Sequence, residues 1–229
     1  MNRTEFPSLT APSLPERVAE IVRDAILTGR LKPGDQVVES HLAKNLKVGQ
    51  NAVREALQEL QFQGFVVKVA NKGTYVTKLS ASDIGHIYRL RIEFESLAVE
   101  WARKAGRPTA DDRKILHAIL EESATAARAN DLSAYARADT KFHRYLWSMA
   151  GNPYLLKALE TSAVPLLSYV LIESRGQLGL DLKRLVREHR DWLNEIEKKP
   201  AKAAGAFTRQ LIGSFWEQVS GAMGDHSET

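Results

Sequence analysis

The stretch from Val48 to Val76, VGQNAVREALQELQFQGFVVKVANKGTYV, changes its period halfway along. From Gln50 to Gln63 the apolar residues Ala52/Val53, Ala56, Leu57 and Leu60 recur at helical spacing, and Gly64 is a stop signal. Beyond it, Phe65-Val66-Val67-Lys68-Val69 and Thr74-Tyr75-Val76-Thr77 are β-branched and aromatic. Between them, Asn71-Lys72-Gly73 suits a turn that needs positive φ. A helix running straight into a two-stranded hairpin is the arrangement that decides the reading of this half of the chain.

Working outward toward the N-terminus, Val18, Ile21, Val22, Ala25 and Ile26 form one apolar stripe of a helix that starts near Leu14. Gly29 suits its end, and Lys32-Pro33-Gly34-Asp35 is a turn. A short helix over Glu39–Leu46 follows, with Leu42 and Ala43 inward. Residues 14–78 therefore read as helix, helix, turn, helix, hairpin: a winged helix-turn-helix. Residues 1–13, polar with two prolines, read as a disordered arm.

Charge supports this reading. The chain carries 32 Lys+Arg and 28 Asp+Glu, a net +4. Residues 41–80 hold six basic residues (Lys44, Lys47, Arg54, Lys68, Lys72, Lys78) against two acidic ones, so the whole surplus sits in the winged module. A helix of this size fits the DNA major groove, and its first residues face base edges. Here those are Gln50, Asn51 and Arg54. Gln and Asn pair bidentately with adenine and Arg with guanine. Lys44 and Lys47, in and after the preceding helix, are placed for phosphates. Lys72 caps the hairpin tip, and Gly73 lets backbone approach an adjacent groove closely. The alternative is a winged helix that binds only protein, but such domains rarely concentrate their charge on this helix and hairpin together.

Toward the C-terminus the pattern is helical throughout. Ser80-Ala81-Ser82-Asp83 is a helix start, and amphipathic stretches cover about 82–105, 109–129, 131–150, 153–174, 180–198 and 201–221. Short loops between six such helices imply an antiparallel bundle over 79–221, followed by a frayed tail over 222–229. The fold class is thus mainly α. No internal repeat is visible. With no cysteine, disulfide scaffolds, Cys-ligated zinc and thiol nucleophiles are excluded. No apolar run is read as reaching the ~18–20 residues of a membrane span, and the N-terminus lacks a signal-peptide core. The expectation is a cytoplasmic protein without a membrane partner.

Asp139 and His143 stand at i, i+4, one turn apart on one helix face, a spacing that can grip one divalent ion. Phe142 and Leu146 mark that side as inward, and antiparallel packing can bring His189 to the same cavity. Arg91 can answer an effector carboxylate by a bidentate contact, or form a salt bridge with Glu93 or Glu95. Asn152 reads as a helix cap, His86 and His117 as surface or packing residues, and the four tryptophans as core.

Leu14-Pro15, Ile26 to Gly34, Val48 to Leu57, Gly64-Phe65-Val66 and Asn71 to Val76 resemble the GntR family of bacterial transcription regulators, and the helical remainder resembles the ligand-binding domain of its FadR-type (FCD) subfamily. The resemblance covers about residues 14–220. It implies a dimer on a palindromic operator, released or reoriented by a small organic acid, with repression the expected sign. The family has Ser-Arg-Thr-Pro where this chain has Gly49-Gln50-Asn51-Ala52. The departure removes an N-cap side chain and one basic contact, and so implies a different operator sequence. Arg54 matches the family's DNA-contacting Arg.

Many FadR-type domains bind a metal with one Asp and three His. Asp139, His143 and His189 match the first three. The fourth, expected about 22 residues after His189, falls at Arg209-Gln210-Leu211, so Gln210 is taken as its replacement. Two readings stay open: a three-ligand site for a divalent ion (zinc, nickel or manganese) completed by water or the effector, or a metal-free pocket in which Gln210 and Arg91 meet the effector. Two other functions compete. An Asp/His/His triad also suits a metal-dependent enzyme, but no general-base carboxylate stands at fixed spacing, and the basic module would go unexplained. A nonspecific architectural protein fits poorly with a helical body whose charges nearly balance.

Overall fold

The computed structural model describes residues 12–173 and 181–224. Most of the arm expected over 1–13 and the end of the tail lie outside them. The described elements run α1 (Leu14–Leu27), β1 (Gln36–Val37), α2 (Glu39–Leu46), α3 (Gln50–Phe62), β2 (Val66–Val69), β3 (Gly73–Val76), α4 (Ala81–Lys104), α5 (Ala110–Ala129), α6 (Leu132–Ser148), α7 (Pro153–Glu173), α8 (Leu182–Lys198) and α9 (Ala201–Gly224). This is the mainly α architecture expected, a winged helix-turn-helix followed by six long helices.

Local chemistry sets the helix starts. Capping boxes open α1 (Ser13/Glu16), α4 (Ser80/Asp83) and α5 (Thr109/Asp112), each satisfying amides that have no partner within the helix. Asp131 and Asp181 cap α6 and α8, and Asn152 accepts from the amides of Tyr154 and Leu155 at the start of α7. α3 starts at Gly49 with no side-chain cap, as its departure from the family pattern implies.

Three expectations are corrected. The hairpin is part of a three-stranded antiparallel sheet of order β1-β3-β2, because Gln36 and Val37 pair with Tyr75 and Thr74 on the open edge of β3. α9 runs on to Gly224 rather than fraying at 221. The stretch Pro153–Ile172 is long and apolar enough by composition to cross a membrane, with mean hydropathy 1.5, although Lys157 and Glu160 interrupt it. Leu159, Ala163, Val164 and Leu166 of this helix are buried inside the bundle.

One continuous apolar core joins the winged module to the bundle. Val22, Ile26, Leu57, Leu60 and Phe65 belong to the same cluster as Ala124, Ala127, Tyr135, Leu171 and Val186. Polar contacts lock the seam. Arg23, 2% exposed, donates to the Gln63 side chain at 3.0 and 2.8 Å. Glu20 accepts from Arg137 and Ser133 of α6. Ser168 of α7 donates to the Gln63 carbonyl at 2.5 Å. Gly64, at φ +77, sits so close to α7 that an added Cβ would lie 2.7 Å from the Pro165 Cα.

Candidate effector cavity and DNA-binding face

Five helices line a partly open cavity of about 100 Å³. α6 supplies Tyr135, Asp139 and His143, spaced by four so that all three share one face. α8 brings His189, as antiparallel packing led the sequence reading to expect. The ligand atoms of Asp139, His143 and His189 lie within 4.8 Å of one another. His189 Nδ1 stands 3.6 Å from Asp139 Oδ1, and the two imidazoles meet edge to face with centroids 5.0 Å apart. Burial pulls His189 down to about 4, with the His143 ring working the same way against Asp139. It is therefore neutral at neutral pH, the form that ligates a metal.

Arg91 lines the same cavity and is ion-paired with Glu95, the salt bridge that was one of its two sequence readings. Its Nε donates to Glu95 at 2.6 Å, and both side chains are buried. Burial would raise the Glu95 carboxyl, but Arg91 and His143 outweigh it and hold it at about 2. Glu95 also accepts from Trp147 Nε1 at 3.1 Å and stands 3.7 Å from His143 Nδ1. At that distance the carboxylate stands behind the His143 ring, just beyond hydrogen-bond reach, where a small closure would let it orient the imidazole as carboxylates do for metal-ligating histidines. The sequence reading offered Glu95 only as a salt-bridge partner. Tyr88 and Tyr135 were missed altogether. Their signal was positional: Tyr88 stands three residues before Arg91, and Tyr135 four before Asp139. Tyr135 donates to Asp139 at 3.3 Å. The Tyr88 hydroxyl is buried without a hydrogen-bond partner among the described residues, and burial pushes it up to about 12.

Gln210 requires a correction. It is exposed on the outer side of α9, while the next residue, Leu211, lines the cavity. One residue along a helix turns the side chain by about 100°, so position 210 faces outward while position 211 faces the cavity. The fourth corner of the metal pattern is therefore aliphatic. An Asp oxygen and two imidazole nitrogens converging on one point still fit a divalent ion with open positions. The His143 Nδ1 is itself buried without a hydrogen bond among the described residues.

In the winged module, Lys44, Lys47, Gln50, Asn51, Arg54, Lys72 and Gly73 are all exposed. Lys47 ends α2 in the left-handed region, at φ 54. The hairpin tip is pinned: the Lys72 carbonyl accepts from Gln36 Nε2 at 3.0 Å and from the Tyr75 hydroxyl at 3.2 Å. Arg54 reaches Glu39, its Nε 3.4 Å from the carboxylate. Gln36 and Glu39 are three residues apart, a span of at most about 10 Å. The helix-α3 arginine and the wing tip thus lean on one short segment, close enough for a single duplex to meet both. His86 and His117 are exposed, as expected.

A winged DNA-reading head packed onto a helical body with a polar-ended internal cavity defines the class of effector-responsive DNA-binding regulators. The chain belongs to the GntR family of bacterial regulatory proteins: residues 14–76 match that family's own pattern and residues 86–214 the FCD domain. It is a transcription regulator and not an enzyme, so the metalloenzyme alternative falls. Regulators of this family bind DNA and small-molecule effectors, typically as dimers. The HTH-type transcriptional regulator YdhC of Bacillus subtilis is 29% identical over 80% of both chains. The gluconate operon transcriptional repressor of Bacillus licheniformis is 26% identical over 83% of this chain and 79% of its own. The solved structure of E. coli McbR/YncC shares the fold with a TM-score of 0.66 at 20% identity, over 95% of this chain and 100% of that one.

Proposed function

We propose that the chain is a cytoplasmic, homodimeric repressor whose head, residues 14–78, binds a palindromic operator and whose body, residues 79–221, dimerises and binds a small organic acid. Lys44 and Lys47 meet phosphates; Gln50, Asn51 and Arg54 read base edges in the major groove; Lys72 and Gly73 bring the wing to the neighbouring groove. The uncapped start of α3 leaves backbone amides available to a phosphate as well.

The observation that carries the reading is that one helix serves both halves. One side of α6 lines the cavity with Asp139 and His143, and the same helix grips the head through Arg137 and Ser133 on Glu20. An acid in the cavity engages Arg91, whose guanidinium carries five donors and is not saturated by Glu95 alone. Asp139, His143 and His189 would hold a divalent ion (zinc, nickel or manganese), which would supply a Lewis-acid anchor for the carboxylate. Any shift of α6 then tilts the two heads relative to each other, and a dimer that no longer matches its half-site spacing lets go.

The test is fluorescence anisotropy with the gene's own upstream DNA. Binding should be sequence-selective and fall steeply with salt. His143→Ala should retain DNA affinity and lose release by carboxylates. Absence of selective, salt-sensitive binding overturns the reading.

A further inference from the structure

The cavity is chemically divided. Its polar groups come from α4, α6 and α8: Tyr88, Arg91, Tyr135, Asp139, His143 and His189, with Glu188 beside them. Among the described residues, α7 and α9 supply only carbon: Leu167, Val170, Leu171, Leu211, Ile212 and Phe215. The Tyr88 hydroxyl, buried and unpartnered among the described residues, is a donor waiting at the polar end. We infer that the acid bound here is a monocarboxylate with an unsubstituted hydrocarbon tail, not a polyhydroxylated or dicarboxylic acid.

Resting on the effector reading above, this follows from what each end can satisfy. The head of such an acid meets Arg91, Tyr88 and the Asp139/His143/His189 corner. Its tail lies against α7 and α9, where every methylene leaves water for a hydrocarbon wall. Along a polyol chain the hydroxyls would face that wall without partners, each losing roughly 5- to 150-fold in affinity. A second carboxylate would face either the same wall or the like charge of Glu188. Leu211 sits at this boundary: a polar ligand in the related metal pattern, it extends the apolar wall here.

The experiment is isothermal titration of the full-length protein, loaded with zinc and separately without metal, using propionate, butyrate, hexanoate, phenylacetate, gluconate and succinate. The same acids are then tested for DNA release by anisotropy. Affinity should rise about fourfold per methylene along the straight-chain series until the tail fills the cavity. Gluconate and succinate should bind at least about tenfold more weakly than the best member. Leu211→Asn, at a partly buried position on the cavity wall, should flatten the chain-length series while leaving propionate nearly unchanged. If gluconate or succinate binds as tightly as the monocarboxylates, or the series is flat in the parent protein, the inference is overturned while the effector reading stands. If none of the acids binds or changes DNA affinity, the effector reading fails and takes this inference with it.

Discussion

Arg144 holds the C-terminal end of α3, the helix proposed to read DNA. Its Nη donates to the Phe62 carbonyl at 2.6 Å, and its guanidinium lies over the Phe62 ring, 3.3 Å from the centroid. Arg144 directly follows His143, so the residue beside the cavity cluster is the one that caps α3. The carbonyls at a helix end have no partner within the helix, and a cation there also meets the negative end of the dipole. Glu160 steadies the arginine from α7 at 3.3 Å. A motion of α6 would thereby reach α3 through a charged hydrogen bond and not through loose loop.

Arg144→Ala should therefore uncouple sensing from release. Effector affinity and effector-free DNA affinity are expected to stay within about threefold of the parent, while the effector's influence on DNA affinity, in the usual range of roughly 5- to 150-fold for allosteric coupling, shrinks toward one. Parallel titrations of acid and DNA check it. An undiminished response would show that α6 signals by another route.

On the DNA face, Arg54 and Lys72 should fail differently. Arg54→Ala is expected to cost roughly 1–3 kcal/mol and to relax preference at one base position. Lys72→Ala should weaken all sequences about equally and reduce the slope of log affinity against log salt by about one. Measuring both variants against operator and scrambled duplexes at several salt concentrations separates base reading from phosphate contact.

Most of the fold was legible because its boundaries are written in local chemistry. Ser80 with Asp83, Asn130-Asp131 and Gly151-Asn152-Pro153 each mark a helix end that needs no tertiary information. The Asp139/His143 pair was legible for the same reason, since four-residue spacing fixes a shared face. What could not be read depended on relations between distant segments. Two residues, Gln36 and Val37, are too few to show a period and become a strand only because β3 offers an edge. The choice between Gln210 and Leu211 turns on the rotation of α9 about its axis, which packing against α4 and α8 sets. Gly64 read as a helix stop, but its close approach to Pro165 became visible only once the two halves were seen packed together.

That approach makes Gly64 a sensitive point. Gly64→Ala would place a Cβ against backbone, which cannot move aside as a side-chain tip can. It would also put a non-glycine residue at φ +77, a strain of roughly 1–3 kcal/mol on its own. Lower thermal stability and faster proteolysis at the seam between head and bundle are expected. The exposed Gly29, also at positive φ but with open space around it, is the control: Gly29→Ala should show the backbone strain alone.

Asp112 gives a pH signature. Its carboxylate closes the capping box of α5, accepts from Tyr145 at 2.9 Å and from Thr109 at 2.7 Å, and pairs with Arg107. The Arg107 hydrogen bonds hold its carboxyl well below the usual range, against the opposing effect of burial. A carboxyl depressed in the folded state adds stability above its unfolded value, and that stability drains away as pH falls through the folded value. Asp112→Asn should thus be less stable than the parent by roughly 1–3 kcal/mol near neutrality. The gap should narrow only below about pH 4. Urea unfolding of both proteins between pH 7 and 3 measures it; a gap that persists unchanged at pH 3 would assign the loss to altered packing.

The aliphatic corner at Leu211 bears on metal affinity in a way that substitution can reverse. Three donors from Asp139, His143 and His189 leave a divalent ion short of a closed shell, so zinc should bind weakly and exchange readily with chelators. His143→Ala or His189→Ala should abolish that binding. Leu211 already lines the same cavity, so Leu211→His would offer a fourth donor from α9, and zinc affinity should rise by at least about tenfold. Competition with a chromogenic chelator reads all four proteins on one scale. Gln210→His, one residue away on the exposed side of the helix, should leave affinity unchanged. An increase at position 210 instead of 211 would mean that α9 is rotated relative to the cavity, and the apolar wall described above would be wrong with it.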